Sequence, residues 1–261
     1  MSLLADHCVE GISETSLAMF GDRLEETRPA VLHTTAVWRR PREYVTILID
    51  ETAPKSPYDR FVLHLSRARA DAVVTSGKNL RAEPTLDHEV PEAFVRWRRE
   101  RLKKTAPPVH VVLTSGQDLD PDHPIFSTAG EHLVYTSTRR ERALGRALGE
   151  RPIELLASAQ PSLKDLLRRL RDRGLGTVLV ETGPSTSRGL YEDPPLVDEL
   201  VLSIYGGALA ARSRGGSLPA TITRRLVLWK PAFEVRSGGA DWSFQRYLRI
   251  TAKDGHCKGL T

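Results

Sequence analysis

The sequence predicts an α/β fold, with a mostly parallel central sheet flanked by helices and antiparallel strands at the C-terminal end. Leucines recur at helical spacing from Leu163 to Leu170, and the apolar, β-branched run Thr177–Val180 follows them. A turn of glycine, proline, serine and threonine separates that run from a second apolar run at residues 196–204. A helix, a strand, a turn, a helix and a further strand in this order are typical of a parallel α/β unit.

The boundaries of that first helix have their own signals. Ser162 and Asp165 form a variant of the capping box, with aspartate in the place of the usual glutamate or glutamine. Gly174 is expected to end the helix, because glycine readily adopts the left-handed conformation of a C-terminal cap.

Regular alternation of predicted helices and strands begins near Tyr44. Strands are predicted at residues 44–49, 71–75, 109–114, 132–136, 153–156, 177–180 and 196–204, followed by C-terminal strands near 226–229, 233–235 and 244–250. Helices are predicted at 58–69, 91–104 and 163–173, and polar loops at 76–84 and 115–124. Residues 1–40 are expected to form a peripheral N-terminal extension with a short helix near Glu14–Arg23. The main domain is then 41–251, and 252–261 form a tail.

Length and composition indicate one domain of enzyme size. The chain has 261 residues, of which 40% are hydrophobic, enough for a substantial core. The sequence contains neither an apolar run near the roughly 18 residues of a membrane span nor a secretory signal pattern. Its two cysteines, Cys8 and Cys257, lack metal-ligand spacing and are typical of a reduced cytoplasm. We therefore expect a cytoplasmic protein with no metal site and no membrane partner.

The basic character of the chain favours small phosphorylated ligands over nucleic acid. The net charge is +5, but basic residues such as those in 96–104 lie on predicted helix faces. Few aromatic residues accompany them, so the stacking platforms of single-strand binders are missing. A modest positive charge suits phosphate groups on a small molecule equally well.

Three small polar loops follow predicted parallel strands, at residues 76–79, 115–117 and 182–185. Ligands of open α/β sheets bind at the carboxyl ends of the strands, and small residues let the backbone approach them closely. The sequence has no G-x-G-x-x-G fingerprint, which argues against a standard Rossmann domain. A binding site built from the three loops is the resulting prediction.

Five segments occur in an order found in one enzyme family. They are Arg-Ala-Arg-Ala-Asp-Ala-Val-Val at 67–74, Leu-Arg-Ala-Glu-Pro at 80–84, Leu-Asp-Pro-Asp-His-Pro-Ile-Phe at 119–126, Val-Glu-Thr-Gly-Pro-Ser at 180–185 and Leu-Val-Asp-Glu-Leu at 196–200. The chain thereby resembles the riboflavin-biosynthesis pyrimidine reductases, which have a dihydrofolate-reductase-like fold. The resemblance implies that residues 41–251 are a reductase domain. It also implies NADPH-dependent reduction of a ribosyl to a ribityl group on a phosphorylated aminopyrimidine, in a homodimer.

The resemblance also implies the residues that contact NADPH. They are Thr75, Ser76, Gly77 and Asn79 in the first loop, Thr114 and Ser115 in the second, and Thr182, Gly183, Pro184, Ser185 and Thr186 in the third. Gly183 would let the backbone approach a pyrophosphate, and Ser185 and Thr186 would add hydroxyl donors near a helix start. Plain N-capping needs the same residue types, so both interpretations of Ser185 and Thr186 stay open.

Glu83, Glu181 and Thr52 are the candidate catalytic residues. Glu83 lies where the family has Ala-Asp-Asp-Pro, and it is a candidate for proton delivery or for binding substrate hydroxyls, unless it is a solvated loop residue. Glu181 ends a buried strand and needs a partner, either a ligand hydroxyl or the backbone of the next loop. Thr52 begins Thr-Ala-Pro-Lys where the family has Ser-Leu-Asp-Gly.

Departures from the family pattern leave the substrate open. The arginine that the family associates with the substrate phosphate has no match at 85–89. Lys55 and Asp59, which flank the altered segment 52–55, are expected to be exposed. His123 is expected only to shape a turn. Two alternatives remain: a reductase of the same fold with a different small heterocyclic substrate, and a non-catalytic family member. The first forty residues lack the His-x-Glu and Pro-Cys-x-x-Cys pattern of a zinc deaminase, so we expect reductase activity only.

Overall fold

The computed structural model describes residues 8–48, 51–116, 119–224 and 226–249. Several sequence predictions fall outside these ranges: Ile49 and Ile250 at strand ends, Gln117 in the second loop, Cys257, and the tail 252–261.

Twelve strands and seven α-helices lie within the described ranges. The strands are β1 (Ala30–Arg39), β2 (Glu43–Ile47), β3 (Ala72–Ser76), β4 (Val109–Leu113), β5 (His132–Ser137), β6 (Ile153–Ser158), β7 (Thr177–Val180), β8 (Glu199–Tyr205), β9 (Arg214–Pro219), β10 (Leu226–Leu228), β11 (Phe233–Ser237) and β12 (Ala240–Arg249). The helices are α1 (Val9–Phe20), α2 (Pro57–Arg69), α3 (Gly77–Ala82), α4 (Glu92–Arg101), α5 (Thr138–Leu148), α6 (Leu163–Asp172) and α7 (Pro184–Ser187).

All twelve strands join one sheet. Its main path runs β10-β12-β8-β1-β7-β3-β4-β5-β6, while β11 pairs with β12, and β2 pairs with both β1 and β9. Every pairing from β8 to β6 along this path is parallel, whereas β10, β11 and β12 pair antiparallel. The predicted architecture of a mostly parallel sheet with antiparallel C-terminal strands is therefore confirmed.

The prediction of a peripheral extension over residues 1–40 is wrong for residues 30–39. These residues form β1, which lies between β7 and β8 near the middle of the sheet. The polar residues His33 and Thr34 interrupt the apolar pattern of this strand, so the sequence pattern did not predict a strand here. Both residues are buried. Their burial is tolerated because the His33 ring is hydrogen-bonded to the Tyr191 hydroxyl and the Thr34 hydroxyl to the Ser66 hydroxyl.

Helix predictions succeeded where an apolar stripe was present. α6 begins with the predicted cap, since the Asp165 amide donates to the Ser162 hydroxyl at 3.1 Å, and Gly174 adopts a positive φ of 82° just beyond its end. The predicted loop 76–84 contains the short helix α3, and α5 had no counterpart among the predictions. On the arginine-rich α5, only Leu144 and Leu148 are buried, so its helical stripe is short.

Helices cover both faces of the sheet. α1, α2 and α4 pack on one face through an apolar cluster that includes Phe61, Leu65 and Trp97, and the leucines of α6 pack on the other. β7, β3 and β4 are neighbours and parallel, so their carboxyl ends lie side by side at one edge. Within the described ranges, no helix combines the length and apolar character that crossing a bilayer requires.

Candidate active site

Asn79 joins the loops that follow β3 and β7. Its side-chain amide nitrogen donates to the Glu181 carbonyl at 3.1 Å, and its side-chain oxygen accepts from the Gly183 amide at 3.2 Å. The same oxygen accepts from the Ser76 hydroxyl at 2.9 Å, and that hydroxyl caps α3 by accepting from the Asn79 amide at 3.2 Å. The backbone at Gly183, which was expected to approach a pyrophosphate, is thus held in place by Asn79, to which its N–H is already hydrogen-bonded.

The absence of a side chain at Gly77 lets the loops that follow β3 and β4 come into contact. A Cβ atom at Gly77 would lie 2.7 Å from the Thr114 hydroxyl oxygen, closer than real Cβ contacts come. The Thr114 hydroxyl in turn accepts from the Gly116 amide at 2.9 Å. Glycine at position 77 therefore allows the first and second loops to touch, as a binding site across the strand ends requires.

The predicted cofactor residues fall into a buried set and an accessible set. Four hydroxyl residues, Thr75, Ser76, Thr114 and Thr182, are buried. The Thr75 hydroxyl donates to the Glu181 carbonyl at 3.3 Å, and that of Thr182 is hydrogen-bonded to the Ser187 hydroxyl at 2.9 Å. These buried side chains stabilise the loops through hydrogen bonds and do not face solvent.

The accessible set lies mainly on the third loop. Ser115 and Ser185 are exposed, while Gly183, Pro184 and Thr186 are half-buried. Gly183 is the residue before α7, so Ser185 and Thr186 lie within that helix and do not cap it. Of the two interpretations left open for these hydroxyls, N-capping is therefore wrong.

Glu181 has a partner that the sequence analysis missed. Arg67 on α2 binds it with two parallel hydrogen bonds, from Nε to Oε1 at 2.9 Å and from Nη2 to Oε2 at 2.8 Å. The side chain of Arg67 is 5% exposed and that of Glu181 is 11% exposed. Glu181 was expected to find a ligand hydroxyl or loop backbone; instead an arginine compensates its charge. The sequence signal for this partner is Arg67 itself, a basic residue among the buried, mostly apolar residues of the predicted helix 58–69.

Glu83 follows α3 and lies near this ion pair. Glu83 is half-buried, and the pKa of its carboxyl group is raised to about 7. Burial is the largest cause, since it disfavours the anion, and the negative charge of Glu181 adds to it. The positive charge of Arg67 opposes both effects. A carboxyl group with such a pKa holds a proton in a large share of molecules at neutral pH.

Two buried histidines, His88 and His110, lie next to one another on the side of Glu181 that faces His88. His88 Nε2 is 3.8 Å from Glu181 Oε2, and His88 Nδ1 is 3.2 Å from His110 Nδ1. His110 Nε2 lies 3.0 Å from the Ala129 carbonyl, which can only accept, so the proton of His110 is assigned to Nε2 and that of His88 to Nδ1. Burial lowers the pKa of His110 to about 4 and that of His88 well below its usual value. Both rings are neutral, so Arg67 supplies the positive charge beside Glu181.

The hydrogen bonds of Thr52 join it to residues outside the three loops. Its hydroxyl is hydrogen-bonded to the Ser213 hydroxyl at 2.7 Å and accepts from Arg212 Nε at 2.9 Å. Lys55 is exposed, as expected. Asp59 is half-buried, which corrects its expected exposure, and burial raises the pKa of its carboxyl group.

Two further observations bear on where ligands could bind. A cavity of about 750 Å³ lies beside α6, and its lining includes Lys164, Arg168 and Leu196 but no residue predicted for the site. Within the described ranges, no group of three or more histidine, cysteine, aspartate or glutamate side chains could hold a metal ion. The loops after β3, β4 and β7 are the candidate site because the contacts of Asn79 and Gly77 join them.

Comparison with known proteins identifies the family. Residues 48–219 match the family model described as the RibD C-terminal domain. The chain belongs to the RibD C-terminal domain family. The matched residues include α2, the three loops, Glu83 and Glu181, so the site described above lies within the RibD C-terminal domain. The family that the five sequence segments indicated is thereby confirmed.

One curated relative of this RibD C-terminal domain protein covers part of the chain. It is 29% identical over 154 residues to the riboflavin biosynthesis protein RibD of Haemophilus influenzae, a match covering 57% of this chain and 40% of that protein. The chain thus spans about two fifths of the length of the curated relative it matches.

Two solved structures share its fold. A pyrimidine reductase-like protein from Corynebacterium diphtheriae has a TM-score of 0.63 at 19% identity, with 94% of this chain and 99% of that chain covered. RibD of Acinetobacter baumannii has a TM-score of 0.60 at 19% identity, with 85% and 58% covered.

Proposed function

We propose that this protein is an NADPH-dependent reductase that converts the ribosyl group of a phosphorylated aminopyrimidine to a ribityl group. One observation carries the proposal: a carboxyl group that holds a proton near neutral pH, Glu83, lies beside the Arg67–Glu181 pair where three small-residue loops meet. The name of the Haemophilus influenzae relative supports a role in riboflavin biosynthesis.

The loops suit a dinucleotide phosphate. Gly183 leaves open the space that a Cβ atom would fill 3.3 Å from the Asn79 side-chain oxygen, and the hydroxyls of Ser115 and Ser185 are exposed nearby on the loops. We assign Gly183, Pro184, Ser185, Thr186 and Ser115 to direct cofactor contact. The remaining predicted residues, Thr75, Ser76, Gly77, Asn79, Thr114 and Thr182, would shape the loops. When bound, NADPH supplies a hydride.

The protein has to supply a proton to the reduced sugar. Glu83 is the proposed donor, because its raised pKa keeps a proton available at neutral pH. After donation its carboxylate lies near that of Glu181, and the repulsion between the two charges favours uptake of the next proton from water. Arg67 orients the Glu181 carboxylate through its two hydrogen bonds, and we assign this carboxylate as an acceptor for a substrate hydroxyl.

A reductase with a different small heterocyclic substrate is the second candidate. The observation in its favour is the segment 52–55, where Pro54 and Lys55 stand in place of the acidic residue and glycine of the family motif, and where the Thr52 hydroxyl is hydrogen-bonded to Ser213 and Arg212. The catalytic assignment of Thr52 therefore becomes a proposal about substrate contact. Reduction of the riboflavin precursor with a normal rate would exclude this candidate.

A cytoplasmic homodimer is the proposed working form. The dimer rests on the family likeness and the location on the sparse cysteines. Sedimentation equilibrium of the purified chain tests the dimer, since a monomer mass at micromolar concentration would contradict it.

The first experiment is an equilibrium titration of the purified protein with NADPH, run in parallel with NADH. We expect binding in the low micromolar range, about −8 kcal/mol, with a preference for NADPH. Binding followed by turnover of the phosphorylated aminopyrimidine supports the proposal. No binding of either nucleotide would instead favour a non-catalytic family member.

Gly183→Val is expected to weaken NADPH binding by roughly tenfold to a hundredfold, the worth of one or two charge-assisted hydrogen bonds. The valine side chain would meet the Asn79 side chain, break its bond to the residue 183 amide and displace the third loop. Gly189→Val is the matched control, because a Cβ atom there meets nothing within 4 Å. Unchanged affinity in a folded Gly183→Val protein would contradict this location of the cofactor.

A further inference from the structure

The backbone of Glu83 is held by its own helix on one side and by a distant segment on the other. Glu83 follows the six-residue α3, and its amide donates to the Asn79 carbonyl at 2.8 Å, but with φ −131° and ψ 73° its carbonyl lies outside the regular helix. Its carbonyl oxygen accepts two hydrogen bonds, from the Leu86 amide at 2.9 Å and from His123 Nε2 at 3.2 Å. The first bond is local, whereas the second joins Glu83 to the connection after β4.

The ring of His123 is fixed in one orientation and one tautomer. Its Nδ1 lies 3.2 Å from the Ile125 amide, which can only donate, so Nδ1 carries no proton. The proton of the neutral ring is then on Nε2 and points to the Glu83 carbonyl. The residue is buried, and Ile125 packs with Leu80 of α3 in one apolar cluster. A rigid ring thus spans the gap between the two segments.

We propose that His123 is a positioning residue that holds the Glu83 carboxyl group beside Glu181 and Arg67 through its Nε2–H bond. The inference rests on the proposed function in one respect, that the Glu83 proton is the one delivered to substrate. Without this bond, Glu83 keeps its amide bond to the Asn79 carbonyl and the turn to Leu86, but its carbonyl is no longer tied to the connection after β4, and the carboxyl group can rotate toward water. The turn-shaping role expected from the sequence is present as well, in the bond to the Ile125 amide.

Two substitutions separate these roles, because each keeps one ring nitrogen's function. His123→Asn retains an acceptor at the position of Nδ1 for the Ile125 amide but has no donor that reaches Glu83. His123→Gln retains a donor that reaches the position of Nε2 but loses the acceptor. His64→Asn is the control, since His64 is half-buried on α2 beside Phe94 and not beside Glu83.

The readout is the titration of the Glu83 carboxyl carbon by 13C NMR in the full chain, assigned with Glu83→Gln. The charged groups that act on this carboxyl group are Glu181 and Arg67, and all variants keep both. In His123→Asn we expect the midpoint to fall by about one unit or more, a tenfold loss of proton affinity, because the group loses its burial. His123→Gln and His64→Asn should remain within about 0.3 units of the unsubstituted protein.

Two results would overturn the proposal: an unchanged midpoint in His123→Asn, or an equal fall in His123→Asn and His123→Gln. Should either variant fail to fold, the ring nitrogens of His123 in the unsubstituted protein decide the question by 15N NMR. A proton on Nε2 alone near neutral pH supports the proposal, and a proton on Nδ1 overturns it. Neither measurement needs NADPH or substrate, so failure of the proposed reductase activity remains distinguishable from failure of this inference.

Discussion

Glu83→Gln is expected to lower the turnover number by roughly 10²–10⁴-fold, the usual contribution of a positioned general acid. Glutamine keeps the size and polarity of the side chain but carries no transferable proton. In the unsubstituted protein, turnover should fall as the pH rises through about 7, because the protonated form of Glu83 is then lost. The variant should lack this dependence. Steady-state kinetics across the pH range, with NADPH saturating, provide the measurement.

The exposed Glu89 supplies a matched control on the same connection. Glu89→Gln should leave both the turnover number and its pH profile unchanged. A Glu83→Gln protein with the turnover and the pH profile of the unsubstituted chain would remove Glu83 as the proton donor.

The same carboxyl group affects stability in a direction that can be worked out. Its folded-state pKa of about 7 lies above the ordinary value of 4.5, so the folded state binds the proton more tightly. Its contribution is therefore complete below about pH 4.5 and is lost as the pH rises through about 7. Thermal unfolding should show Glu83→Gln gaining stability relative to the unsubstituted chain between these values.

Glu199→Gln is expected to destabilise the fold by about 3–5 kcal/mol, the usual cost of breaking a buried ion pair. Glu199 at the start of β8 binds Arg69 at 2.5 and 3.1 Å and Arg246 at 2.9 Å, and all three residues are largely buried. Removal of its charge leaves Arg69 without this counter-ion, while Arg246 keeps its bond to Asp22 at 3.0 Å. Urea unfolding at neutral pH gives the difference in free energy.

Acidity should reduce this difference between Glu199→Gln and the unsubstituted chain. Burial acts to raise the pKa of Glu199, but the two arginines outweigh it and lower the pKa to about 2. The stabilisation is therefore present above the ordinary value of 4.5 and is lost as the pH falls through about 2.

Glu154→Gln is the matched control for this experiment, because its pair with Arg173 is largely solvent-exposed. It should change the free energy of unfolding by less than about 1 kcal/mol. An equally small change in Glu199→Gln would show that the buried network contributes little to the fold.

Local patterns predicted the elements whose stability depends on a continuous apolar face. The leucine spacing of α6, its serine cap and the uninterrupted strand β7 were all visible within a few residues of sequence. Patterns failed at strand ends, where β8 begins at Glu199 rather than at residue 196 and β12 at Ala240 rather than at 244. Neighbouring strands, rather than local residues, decide where those pairings begin.

The candidate site was predictable only in its individual residues. Glu83 was recognisable from the family segment Leu-Arg-Ala-Glu-Pro in which it lies, and Glu181 from its position at the end of a predicted buried strand. Their partners are distant along the chain, since Arg67 reaches Glu181 from α2 and His123 reaches Glu83 from the connection after β4. Such pairings depend on the order of strands in the sheet, which no local pattern in the sequence specifies.

The central position of β1 also bears on how the chain is made. Residues 30–39 leave the ribosome early, and the end of this strand can pair at once with β2, but its other two partners are residues 177–180 and 199–205. Residues 30–38 must wait for most of the chain to be translated before they gain these two parallel partners, and the apolar residues among them lack their native cover during that time. Folding of the domain is therefore tied to the completion of synthesis, and the nascent chain should depend on chaperones that shield this early strand.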